Sequence, residues 1–323
     1  MRGLDGALAA CGRRGARLLA FAIFAGLLLP PLAHALRWFI TPNVVGLMTL
    51  VLLRIDLAAA FAHLRRPWPL LGLAAFVMLA CPLIVWAAVR PLGLDAGIAA
   101  GMVIYATGCS VTSGAAFARM IGLDAELTLL GTLLTTLLVP LTAPPVAVAL
   151  LGINLSLGIG ALMARLALVV GLPLALSVLL RRALGPAALA ARGPAIDGLV
   201  VVVLVLFGIG VMDGLTARAL ADPAWVAQAI GAAFAVDFGL NLLSTLAFAW
   251  MGWRAAASVG LVSGNRNMAL YLAVLPAAAD PRLGLFFALC QFPLYLSPLL
   301  LRPAYGLAAR RGYGRSRRSA RRG

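Results

Sequence analysis

The sequence predicts an all-α polytopic membrane protein of ten transmembrane helices, and three observations predict it. Hydrophobic residues make up 63% of the 323 and charged residues only 11%, with a mean hydropathy of +1.04. A soluble domain of that length cannot hide so much apolar surface, so lipid is the solvent for most of the chain. The apolar runs are continuous for about 20 residues each and do not alternate at period two, so helices rather than a barrel satisfy the backbone in lipid. Finally, the arginines between the runs alternate between many and few, as cytoplasmic and external loops do.

In chain order the expected spans are residues 17–38, 42–62, 68–89, 94–119, 125–150, 153–180, 195–216, 223–250, 255–279 and 282–304. The first follows Arg13, Arg14 and Arg17 in the manner of a signal peptide. It runs through Pro30 and Pro31 without a cleavage site and is kept as a span. With the N-terminus inside, the cytoplasmic segments hold nineteen arginines and the external loops four (Arg37, Arg90, Arg218, Arg282). That asymmetry supports ten spans with both termini in the cytoplasm. The longest connection, Arg181 to Pro194, leads into the seventh span and is rich in Ala, Gly and Pro. Five spans per half makes the halves opposite in orientation, the arithmetic of an inverted repeat: residues 1–152, then 153–304, then a basic cytoplasmic tail at 305–323.

Two spans are interrupted by polar residues. The fourth centres on Thr107, Gly108, Cys109, Ser110, Val111, Thr112, Ser113 and Gly114; the ninth on Ser263, Gly264, Asn265, Arg266 and Asn267. Glycines bounding hydroxyls suit a helix break whose freed amides and carbonyls line a polar cavity. Close packing of small residues accounts for the glycines alone, but not for two asparagines flanking an arginine at mid-membrane. The fifth span carries Thr128, Thr132, Thr135 and Thr136, with Thr128, Thr132 and Thr135 on one face, before Pro140, Pro144 and Pro145 bend or end it. Such hydroxyls either bond back to their own helix or line a cavity. Of the charges inside spans, Arg54 lies with Asp56 in the second, Arg165 in the sixth and Asp237 in the eighth. Asp237 is expected to neutralise Arg266 or Arg165, or to stay free as a proton-coupling group. Asp95, Asp124, Glu126, Asp222 and Asp280 fall at span ends, where the helix dipole favours an acid.

Several function classes drop out. All 26 basic residues are arginine and eight lie at or beyond Arg302, so the net charge of +16 reports orientation and attraction to anionic lipid rather than nucleic acid. The four cysteines are scattered and His34 and His63 stand far apart, so no metal site or disulfide framework is expected. No HExxH, Ser/His pair or paired mid-membrane acids suggest an enzyme.

Taken together, four stretches resemble the bile acid:sodium symporter family, part of a superfamily that also holds arsenite and auxin exporters. They are MTLVLLRIDLAAAFAHLRRP at 48–67, Cys81-Pro82, GCSVTSG with the downstream LTLLGTLLTTLLVPLTAP at 127–144, and SGNRNMALYLAVLP in the ninth span. The resemblance implies a panel domain from spans 1, 2, 6 and 7 and a core domain from spans 3–5 and 8–10. Within the core, broken spans 4 and 9 would cross at mid-membrane beside the substrate cavity, and transport would proceed by alternating access. It implies a substrate contact at Asn267 and sodium ligands at Ser113, Gly114, Thr128 and Thr132; with the polar residues of both interruptions the expected substrate contacts are Thr112, Ser113, Asn265, Arg266 and Asn267, and Val262 and Ser263 complete the expected ion site. That ion site departs from the family pattern. Val262 stands where sodium-coupled members have an acid, Gly114 replaces an asparagine, Val77 a glutamine, and Arg266 a neutral glutamine. Sodium prefers oxygen ligands, one of them anionic, so sodium coupling is disfavoured, and Arg266 is expected to supply a fixed positive charge for an organic anion. The expected protein is thus a secondary transporter of a small organic anion, without cofactor, in a bacterial inner membrane. The alternatives are an exporter resembling the arsenite or auxin branches, in which Cys109 would be a thiolate site, and a non-transporting receptor. Neither substrate, direction nor oligomeric state is legible.

Overall fold

Proline and glycine punctuate this chain, and the helices begin and end where they stand. The computed structural model describes residues 2–54, 67–152, 158–274, 280–297, 299–303 and 305. Asp56, Arg65, Arg66 and the tail beyond Tyr305 lie outside the described residues. The helices are α1 (Arg2–Arg13), α2 (Gly15–Leu28), α3 (Pro30–Arg37), α4 (Ile40–Leu53), α5 (Pro67–Ala75), α6 (Cys81–Val89), α7 (Ala96–Thr107) and α8 (Gly114–Ile121). They continue with α9 (Ala125–Leu151), α10 (Ile159–Ala191), α11 (Gly193–Gly210), α12 (Leu215–Ala221), α13 (Pro223–Ala247), α14 (Trp253–Gly264), α15 (Met268–Val274) and α16 (Pro281–Leu289). A wide π turn, Phe76–Ala80, joins α5 to α6. No strand occurs among the described residues beyond a single bridge between Ser110 and Arg266.

Among the described residues, six stretches are long and apolar enough to cross a membrane: Leu70–Leu92, Ala125–Leu151, Ile159–Ala191, Gly193–Ala221, Pro223–Ala247 and Pro281–Pro303. Arg17–Leu28 and Pro30–Arg37 qualify only as a pair bent by 105°. The expected first span, 17–38, is therefore bent sharply at Leu29–Pro30. Pro30 and Pro31 carry no N–H for the carbonyls of Gly26 and Leu27, and the Thr216 hydroxyl donates to Leu27 O at 2.7 Å. By contrast, α9 runs on to Leu151 through Pro140, Pro144 and Pro145, as membrane helices can. Of the five acids expected at span ends, four accept from helix N-termini and Glu126 lies in the first turn of α9. Asp95 accepts from Gly97 N and Ile98 N, Asp124 from Glu126 N and Leu127 N, Asp222 from Trp225 N and Asp280 from Arg282 N.

The chain divides into two compact units. One comprises Met1–Arg65, Leu155–Ala229 and Met268–Gln291. There α1, not anticipated from the sequence, lies along α11 so closely that a Cβ on Gly198 would strike the Leu8 backbone. Arg54 forks onto Asp197 at 2.9 and 3.3 Å. Arg165 is exposed near the start of α10 rather than mid-helix. The other unit comprises Arg66–Asn154, Ile230–Asn267 and Phe292–Gly323, and it contains both interruptions, 108–113 and 265–267.

Candidate functional site

Each interruption leaves backbone groups that lipid cannot satisfy, and the two interruptions satisfy each other. Residues 108–113 separate α7 from α8, and residues 265–267 separate α14 from α15. Between them Val111 N donates to Asn265 O and Asn267 N to Cys109 O, each at 2.8 Å, an antiparallel bridge centred on Ser110 and Arg266. A Cβ on Gly264 would lie 2.6 Å from the Asp237 carbonyl oxygen, so only glycine lets α14 end this close to α13.

Arg266 is wholly buried, and its guanidinium closes the remaining gaps. One terminal nitrogen donates to Gly108 O at 2.5 Å, a carbonyl at the first break. The other donates to Val77 O at 2.9 Å. The Val77 carbonyl is free for a specific reason. In the π turn Cys81 N bonds Phe76 O, and the next residue, Pro82, has no N–H to offer Val77. Arg266 Nε has no hydrogen-bond partner. Arg266 makes no ion pair with Asp237 within 4 Å, so the expected neutralisation takes a different form. Asp237, also fully buried, is reached by the Tyr105 hydroxyl at 2.8 Å, and that hydroxyl stands 2.6 Å from Gly264 O and accepts from Arg266 N at 3.3 Å.

The remaining expected residues separate into two sets. Asn265 is held at one end: its Oδ1 accepts from Asn241 Nδ2 at 3.4 Å and Ser297 Oγ at 3.2 Å, Asn241 in turn accepts from the Tyr305 hydroxyl, and Asn265 Nδ2 is buried without a hydrogen-bond partner. Asn267 keeps 6% of its surface exposed, Thr112 and Ser113 are half-buried, and their side chains make no hydrogen bonds among the described residues.

Of the expected ion ligands, Gly114, Thr128 and Thr132 do converge. A Cβ on Gly114 would lie 3.3 Å from Thr128 Cγ2 and 3.4 Å from Thr132 Oγ1. Their hydroxyls are already engaged, however: Thr128 with Asp124 O at 2.8 Å and Thr132 with Ser110 Oγ at 3.2 Å. Val262 presses both methyls toward Gly131, whose Cβ would meet them at 3.2 Å, and so fills the place beside this site with hydrocarbon. Ser263 Oγ is 3.3 Å from Cys81 Sγ. Among the described residues no three His, Cys, Asp or Glu side chains gather as a metal site.

Sequence reasoning missed Tyr105, Asn241, Ser297 and the Val77–Pro82 turn. A tyrosine one turn before a polar interruption was the available signal, since a buried phenol seeks a partner. The carbonyl of Val77 leaves no trace in the side-chain pattern.

Fold and site together define an all-α integral membrane protein in which two interrupted helices pair through their own backbones. No protein-family profile matches the chain, and no curated protein matches it.

Proposed function

We propose that the protein is a secondary transporter of a small organic anion, working by alternating access around the crossing of two broken helices. The observation that carries this reading is the paired interruption at 108–113 and 265–267, held by a buried arginine. Irregular backbone at membrane depth persists only where it serves a cavity or is enclosed by protein, and an intramembrane cation is costly unless function retains it. In this reading Arg266 is a tethered cation. Its guanidinium takes carbonyl oxygens as ligands, as a bound sodium ion would, and its charge lowers the energy of an anion held by Thr112, Ser113 and Asn267. The fold proposed is ten spans in two inverted repeats, with panel and core domains and both termini in the cytoplasm of a bacterial inner membrane.

The experiment is uptake of radiolabelled organic anions into proteoliposomes, with external sodium or with choline in its place. Uptake that survives the replacement is expected, because the arginine charge does sodium's work. An absolute sodium requirement would overturn the tethered-cation reading, and no flux of any anion would overturn transport.

A further inference from the structure

The hydroxyl of Tyr105 is asked for more protons than it has. Its oxygen stands 2.8 Å from Asp237 Oδ2 and 2.6 Å from the Gly264 carbonyl. The third neighbour, Arg266 N at 3.3 Å, brings its own proton. A phenol carries one donor, and neither a carbonyl nor a carboxylate carries any. Both oxygen–oxygen contacts are hydrogen bonds only if the second proton resides on Asp237. The chain of donation then runs from Asp237 to Tyr105 and from Tyr105 to Gly264 O, with Arg266 N–H filling the last phenolic lone pair. Were Asp237 ionised, one acceptor would face the phenol oxygen without a proton between them. Its other oxygen, Oδ1, is buried without a partner and would be a bare anionic oxygen, which is strongly unfavourable.

The charged and titratable groups around Asp237 come from three sides. Tyr105 projects from α7. Arg266 comes from the second break, its guanidinium committed to the Val77 and Gly108 carbonyls. Tyr305 reaches Asn241, one turn along α13. Among the described residues Asp237 is the one acid that is fully buried.

We propose that Asp237 is a neutral carboxylic acid in this conformation and is the proton-binding group that couples the carrier to a proton gradient; the coupling half of this rests on the transporter reading. The proton is taken from water on one side of the membrane and returned to water on the other, and only the Asp237 O–H bond forms and breaks. The coupling is local. When Asp237 gives up its proton, the Tyr105 proton turns to the carboxylate and the Gly264 carbonyl, the last of α14, loses its donor. Protonation therefore holds the crossing together, and proton loss loosens it.

Infrared difference spectroscopy on the full chain in lipid nanodiscs at neutral pH tests this without a substrate, so its failure is distinguishable from a failed transport assay. A protonated-carboxyl stretch is expected in the wild type, lost in Asp237→Asn, and shifted to higher frequency in Tyr105→Phe. In D2O it should shift down during hydration, because a coupling group meets water in part of its cycle. A spectrum in which Asp237→Asn removes no such band, or in which Tyr105→Phe leaves every such band in place, overturns the protonated acid. A band that persists unexchanged after prolonged hydration overturns the coupling role. Should Asp237→Asn not fold, the Tyr105→Phe shift and the exchange decide.

Discussion

Arg266 shows how one side chain acquires a role that residue type alone does not assign. Charge and depth suggest a partner for an anion, yet its terminal nitrogens go to two backbone carbonyls, Gly108 O and Val77 O. Burying an arginine this way is tolerable because each carbonyl would otherwise be orphaned in a low-dielectric interior. Arg266→Gln cannot reach both and is expected to destabilise the protein by about 1–3 kcal/mol, read as a lowered melting temperature in detergent. Asn267→Ala, which removes no hydrogen bond among the described residues, should leave the melting temperature unchanged while weakening any stabilisation by an anion. The two asparagines beside Arg266 look equivalent in the sequence. They part because the Asn265 side chain bonds Asn241 and Ser297 while that of Asn267 makes no hydrogen bond among the described residues.

At the scale of elements, helix irregularities come in compensating sets. The bend between α2 and α3 releases the Leu27 carbonyl, which Thr216 takes up. The π turn before Pro82 releases the Val77 carbonyl, which Arg266 takes up. The breaks after α7 and α14 release groups that each takes from the other. Pro82→Ala gives Val77 a competing N–H and makes Arg266 less necessary. In a double-mutant cycle the cost of Arg266→Gln should then be smaller in the Pro82→Ala background, with a coupling of about 0.5–3 kcal/mol. Strictly additive effects would show that Val77 and Arg266 are not linked through Pro82. Prolines are legible in the sequence, but which carbonyl each one frees, and which distant donor answers, depends on helix register and neighbours.

For the whole molecule, six described stretches, seven with the bent pair, are long and apolar enough to span a membrane. The expected ten require the broken and bent helices to cross as well. Nineteen arginines in the segments assigned to the cytoplasm against four outside make that topology testable. A green fluorescent protein fused after residue 323 should fluoresce and an alkaline phosphatase fused there should be inactive. The opposite pattern would mean an odd number of spans or an inverted orientation.

Composition and pattern by themselves determined the membrane solvent, the helical class, the two interruptions and the helix-capping acids. Each of these follows from local chemistry: apolar length, missing side chains, a carboxylate at a helix start. Only the tertiary structure decided that the two breaks bridge through Ser110 and Arg266, that Val262 packs hydrocarbon beside the Gly114–Thr128–Thr132 cluster, and that Tyr105 stands between Asp237 and Gly264. Those facts belong to pairs of residues far apart in the chain. In a medium without water each buried polar group must find its partner within the protein, and the partner is chosen by how the helices pack.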